Sequence, residues 1–208
     1  LWANPDHPEG WEELMKLGVD YINTDHIQEL ADFLTKKNEA VHSLPYNRVI
    51  RSAGNVIRFG SPQLENHALD VARLDEKGLA VIEDRYGIAI IDIIKKTIRS
   101  QWRYTDQSEY RNYMSVYSGI KTFKEGGKTW ILWTAASRDN GQSALMIGQW
   151  NDGIKEVTHL PFAKSAGAKN ALPNEPEVVK ENDNYYIYLV LNGNNEAVKI
   201  DWKTRKII

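Results

Sequence analysis

The chain has 208 residues and a net charge of −2 from 26 bases and 28 acids, so it carries no polybasic field of the kind that gathers nucleic acid. It has no cysteine, which excludes disulfides and thiolate metal sites, and no apolar run near the roughly 20 residues that span a bilayer as a helix. Residues 1–40 hold three bases against nine acids while the remainder is net basic, and that step predicts a domain boundary near residue 40.

In chain order, Leu1-Trp2-Ala3 reads as the end of a strand. "EGWEELMKLG" then carries helical apolar spacing at Trp11, Leu14, Met15 and Leu17, with Asp6 as the expected N-cap, Pro8 in the first turn and Gly18 as the stop. Val19, Tyr21 and Ile22 form a short strand, and Asn23-Thr24-Asp25 supplies capping chemistry for a second helix with Ile27, Leu30, Ala31, Phe33 and Leu34 on one face. The order is β-α-β-α. Strands in such units need parallel neighbours to cover both faces, so this segment is expected to be the tail of a larger parallel barrel whose other strands precede Leu1.

"LWANPDHPEGWEELMKLGVDYINTDHIQELADFL" resembles the end of the glycerophosphodiester phosphodiesterase family, a (β/α)₈ barrel, with Gly18-Val19-Asp20-Tyr21-Ile22-Asn23-Thr24-Asp25 as the eighth-strand motif. The resemblance implies metal-assisted hydrolysis of a glycerol phosphodiester, by paired histidines and by carboxylates that hold a divalent ion, calcium or magnesium. Those groups belong to the family's early strands and none maps onto this sequence. What it does place here is the barrel rim, where Trp2, Asn4, Asn23 and Asp25 are candidate substrate contacts. Three of them have a plain alternative: Trp2 as packing, Asn23 as a turn residue, Asp25 as a helix cap. His7, in a proline-rich loop, reads as solvated rather than as a general base.

From Pro45 onward, short strands alternate with Gly, Asn and Asp turns, and seven Trp and ten Tyr favour strands around an aromatic core. Residues 64–98 and 172–207 are two copies of one pattern. Both open L-x-N (Leu64 and Asn66; Leu172 and Asn174) and both close I-D-x5-I (Ile91, Asp92 and Ile98; Ile200, Asp201 and Ile207), at offsets of 108 and 109. A looser copy lies between them. Half the offset, about 54 residues, is close to a four-stranded propeller blade of about 40–50. The turns "DEKG", "KEGG" and "ENDN" follow the first strand of successive copies.

"NHALDVA", "YSGI", "ALPNEPEVV" and "YLVLNGNNEAVKID" resemble YVTN-type β-propellers, and in particular those fused to phosphoesterases. The expected fold is therefore mainly β. It comprises residues 1–40 as a barrel end, a linker at 41–46, and an incomplete propeller of three four-stranded blades over 47–208, with 47–60 as an outer hairpin.

Inner strands of a propeller start at the channel mouth, which selects Asn66 and His67, Tyr117 and Ser118, and Asn174 and Glu175 as candidate ligand contacts. Asn66 and Asn174 read first as turn caps that bond neighbouring backbone, with ligand contact second, while His67 and Glu175 stand evenly between the two. No P-loop, G-x-S-x-G, H-E-x-x-H or G-x-G-x-x-G motif is present, and "EGGK" is a hairpin turn. The leading expectation is a piece of a phosphodiesterase, inactive alone and acting on a small phosphodiester when whole, with a propeller that binds a ligand or protein. The rival is a non-catalytic propeller that recognises a surface ligand, and a weaker third reading adds a phosphatase domain. By resemblance the protein is exported to the periplasm, the cell surface or the medium.

Overall fold

The computed structural model describes residues 7–19, 21–36, 41–44, 48–51, 54–61, 63–64, 66–75, 77–117 and 119–208. The chain divides into two compact units, Leu1–Ile57 and Arg58–Ile208.

The first unit opens with helix α1, Pro8–Lys16. Its N-cap is His7, one residue after the expected Asp6: the Nδ1 of His7 accepts the Gly10 N–H at 3.3 Å, and Pro8 occupies the first helical position, where a missing N–H costs nothing. The helix stops at Gly18, whose φ of +74° is reached without a Cβ penalty. Gly18 donates to the Met15 carbonyl and Val19 to that of Leu14, the paired bonds of a Schellman ending.

Strand β1 (Tyr21–Asn23) leads into helix α2 (Ile27–Lys36). The Thr24 hydroxyl accepts the His26 N–H at 2.9 Å, and the helix hydrogen bonds begin at the His26 carbonyl. Asp25 is therefore exposed ahead of the first turn and does not hold the cap position. Trp11, Ile22, Leu30 and Leu34 are buried together, with the Phe33 ring edge-on to Trp11 at 5.6 Å.

Strands β2 (Val41–Leu44) and β3 (Arg48–Arg51) form a hairpin, and β3 pairs antiparallel with β1, Ile22 opposite Val49. This differs from the sequence reading in two ways. The neighbour of β1 is antiparallel rather than parallel, and residues read as linker and first propeller hairpin belong to the first unit. The physical reason is local: β1 exposes backbone donors and acceptors that a hairpin immediately downstream can satisfy.

The second unit holds three antiparallel sheets. The first comprises β4 (Ala68–Arg73), β5 (Leu79–Asp84), β6 (Gly87–Asp92) and β7 (Thr97–Arg103), paired in that order. The second comprises β9 (Lys121–Glu125), β10 (Lys128–Ser137), β11 (Ser143–Trp150) and β12 (Ile154–Phe162), with a short extra strand β8 (Tyr113–Ser115) on the far end of β10. The third comprises β13 (Pro173–Glu181), β14 (Asn184–Leu191), β15 (Glu196–Asp201) and β16 (Lys206–Ile207). The three four-stranded units thus follow the repeat read from sequence, while β8 had no signal there. Among the described residues the sheets do not close into a ring.

The sheets stack through alternate residues of the middle one. Ile131, Trp133, Ala135, Ala144 and Met146 turn to the first sheet and pack with Val81, Ile88, Ile90 and Trp102. Leu132, Leu145 and Ile147 turn the other way, onto Ile187, Leu189, Leu191 and Ile200. The two sides differ by one step of the pleat.

The closing I-D-x5-I of the repeat has a structural cause. Asp92 Oδ1 accepts the Lys95 N–H at 2.8 Å, and Asp201 Oδ1 the Thr204 N–H at 2.7 Å. Lys96 and Arg205 then take the same left-handed conformation, at φ +58° and +57°. The isoleucines pair across the turn, Ile91 with Ile98 and Ile200 with Ile207. One aspartate-capped turn sets the same register twice.

Inner strands are clamped from one sheet to the next. Asp70 Oδ2 on β4 accepts the backbone N–H of both Gly119 and Ile120, each at 3.1 Å. Gly119 in turn approaches the third sheet so closely that a Cβ would stand 2.8 Å from the Glu175 nitrogen, and its φ is +137°. Asp70→Ala leaves two donors of buried residues without an acceptor. It is expected to lower unfolding free energy by about 2–4 kcal/mol in a denaturant titration of the full chain, with Asp70→Asn losing less. Equal stability of all three proteins contradicts the clamp.

Candidate functional site

In the second unit, sheet-to-sheet connections and second-hairpin turns converge on a cavity of about 660 Å³, within the usual range for small-molecule pockets. The approach to β4 supplies His67, with Leu69 following in the strand. The approach to β9 supplies Val116 and Tyr117, and β8 supplies Met114 and Ser115. The β5–β6 turn gives Arg85, the β10–β11 turn Ser137 and Arg138, the β12–β13 connection Lys169, Asn170 and Leu172, and the β14–β15 turn Gly193.

Backbone bonds tie these pieces together. Ser115 donates its N–H to the Arg85 carbonyl at 2.9 Å, Arg138 donates to Asn112 at 3.0 Å, and Gly193 to Ala171 at 2.8 Å. The Asn170 side chain donates to the Ser137 carbonyl at 3.0 Å. At Gly193 a Cβ would stand 2.0 Å from the Asn170 carbonyl oxygen, so only glycine lets the turn close against this wall.

Polar groups lie under the floor. Trp133 donates its indole N–H to the Tyr104 hydroxyl at 2.9 Å, and that hydroxyl is 3.2 Å from Ser115 Oγ. Either hydroxyl of the Tyr104–Ser115 pair can donate to the other. Burial raises the Tyr104 pKa, keeping the hydroxyl protonated.

Glu83 on β5 is fully buried, and among the described residues neither carboxyl oxygen has a hydrogen-bond partner. Burial first, and the facing Asp70 carboxylate second, push Glu83 up to about 9. The Ser115 hydroxyl and the Gly119 N–H are close enough to pull it back slightly, though neither meets hydrogen-bond geometry. Burial also raises its neighbour Asp84, opposed by the N–H groups around it and by nearby His67. On the rim, Asp139 turns back to its own loop. It accepts from the Ser137 hydroxyl at 2.6 Å and from the Asn112 amide at 2.7 Å, which lowers its pKa.

Of the residues singled out in the sequence, His67 and Tyr117 line the cavity. Asn66 does not: its amide is spent on Ser61 and Leu64, as a turn cap. Asn174 and Glu175 lie outside the cavity lining, Glu175 in a left-handed bulge of β13 at φ +46°. Trp2, Asn4 and Ser118 lie outside the described residues, and Asn23 is described only as the end of β1.

The candidates part company because of a false equivalence at the front of the repeat. Ala68 pairs with Asp84, the last residue of β5, and Pro173 with Leu191, the last residue of β14. Asn66 therefore precedes the first pair of its sheet, whereas Asn174 is the second residue of its strand. Arg85, Arg138 and Lys169 went unnoticed, although a signal existed: two of them sit in the turn after the second strand of successive repeats.

Among the described residues no group of three or more His, Asp or Glu is placed to hold a metal ion, and no helix is long and apolar enough to cross a membrane.

Glu83 gives a pH signature. The folded chain holds this proton up to about pH 9, whereas an unfolded glutamate releases it near 4.5. Between those limits the folded state binds more protons, so this group's contribution to stability falls as pH rises, by up to about 1.4 kcal/mol per unit. Glu83→Gln, which cannot ionise, is expected to flatten the decline between pH 5 and 9 in unfolding midpoints. Identical slopes for the two proteins refute a neutral Glu83.

Residues 1–28 match the glycerophosphoryl diester phosphodiesterase family. The chain matches no curated protein and no solved structure.

Proposed function

We propose that the chain is part of a glycerophosphodiester phosphodiesterase-like protein: its first residues are the end of the catalytic barrel, and Arg58–Ile208 is a propeller-type module that binds a small ligand in its cavity. The observation that carries the enzymatic part is the family match over residues 1–28, which contains the whole G-V-D-Y-I-N-T-D run. On this reading the substrate is a small phosphodiester. The paired histidines and the carboxylates for a calcium or magnesium ion stand on other barrel strands, and Trp2, Asn4, Asn23 and Asp25 belong to the rim. Export to the periplasm, surface or medium forms part of the same proposal.

The binding part draws support from a different feature. The cavity is assembled from all three sheets rather than from one loop, and its floor keeps buried polar groups below an apolar lining. Such a site suits recognition: of the two buried serines in its lining, Ser137 spends its hydroxyl on Asp139 at 2.6 Å and Ser115 stands 3.2 Å from the Tyr104 hydroxyl.

The division of labour has a direct test. Purified residues 1–208 with calcium or magnesium are expected to leave glycerophosphocholine intact, measured as choline release over hours at pH 7–9. Metal-dependent release that survives repurification would place the chemistry within this chain and overturn the assignment.

A further inference from the structure

The cavity's charge pattern identifies a class of ligand. Arg85, Arg138 and Lys169 reach it from three separate segments, and none of the lining residues is an acid. In a chain with more acids than bases, that segregation is not compositional. The acids nearby are directed elsewhere. Asp139, which also feels the neighbouring Arg138, is held by Ser137 of its own turn and by Asn112 just ahead of β8, Asp84 accepts the Tyr86 N–H, and Glu83 keeps its proton at neutral pH. Arg138 and Lys169 are both exposed and enter no ion pair among the described residues.

Between these cations the wall is apolar, formed by Leu69, Met114, Val116, Ala136, Ala168 and Leu172. Cations facing one cleft repel one another until an anion enters, and a low-dielectric wall strengthens that attraction. A bare inorganic ion would leave the apolar wall uncovered. A neutral apolar molecule would leave Arg138 and Lys169 unmatched.

We propose that the cavity binds an amphipathic organic anion, a phosphate or carboxylate head held by Arg138 and Lys169 with Arg85 beside them, and an apolar body against Met114 and Leu172. The proposal rests on the reading of this cavity as a ligand site and adds the chemistry of what it takes. It does not depend on the phosphodiesterase assignment.

Calorimetric titration of the 208-residue chain with octyl phosphate, octanoate, inorganic phosphate and 1-octanol tests it. Octyl phosphate or octanoate is expected to bind in a one-to-one ratio, at least tenfold more tightly than inorganic phosphate or octanol, and more weakly as salt is raised. Whichever of the two binds identifies the head group. Arg138→Gln and Lys169→Gln are each expected to weaken it about tenfold, with Arg138→Lys retaining more, while the denaturation midpoint is unchanged because both side chains are exposed. Octanol binding as tightly as the anions overturns the anionic class but leaves the cavity as a ligand site. Inorganic phosphate binding as tightly as octyl phosphate overturns the role of the apolar wall. No binding by any probe removes the cavity itself.

Discussion

The middle sheet of the second unit has no solvent side. Along β10 every residue from Ile131 to Ser137 is buried, with Ile131, Trp133 and Ala135 committed to one neighbouring sheet and Leu132 between them to the other. A strand of this kind gains nothing from folding alone, because half of its apolar surface would remain in water whichever way it lay. The stacking of three sheets follows from that constraint, and so does the meeting of their turns at one place. The cavity is a by-product of stacking that polar and basic turn residues have furnished.

The clamps make the stack specific rather than merely greasy. Burial of apolar faces fixes that the sheets meet but not how far they slide. Asp70 receiving two N–H groups across the first gap, and the close approach of Gly119 to Glu175 across the second, allow only narrow settings. At the cavity wall, the contact of Gly193 with the Asn170 carbonyl has the same effect. The buried Glu83 is the cost of this arrangement: it faces Asp70 across the strand pair, and protonation relieves a repulsion that the clamp itself creates.

Much of this was legible in the sequence where one residue dictates one geometry. The I-D-x5-I runs predicted equal turns because an aspartate three residues before an amide can hardly do otherwise, and the Gly-rich and Asn-rich turns after each first strand fell where expected. Gly18 marked the end of α1 for the same reason. What could not be read was pairing over distance. Nothing local distinguishes β3 as a partner of β1 from β3 as a propeller strand, because both uses need the same short alternating segment. The front of the repeat failed for a related reason: L-x-N matches by identity, while register depends on turn lengths further along. His67 and Tyr117 fall in the cavity lining because they precede inner strands. The arginines were not, because a charged residue in a turn ordinarily means only that the turn is wet.

The turns around the cavity differ in size while the strands beneath them keep step. Between the second and third strands, the first sheet spends two residues, Arg85 and Tyr86; the middle sheet spends six, 137–142; the third spends four, 192–195. Below each, pairing is anchored from the opposite end. Such a layout separates what is recognised from what holds it up. Gly193 apart, side chains can be exchanged along the rim without a strand having to shift, so a new appetite can be acquired by editing a few positions on an unchanged chassis.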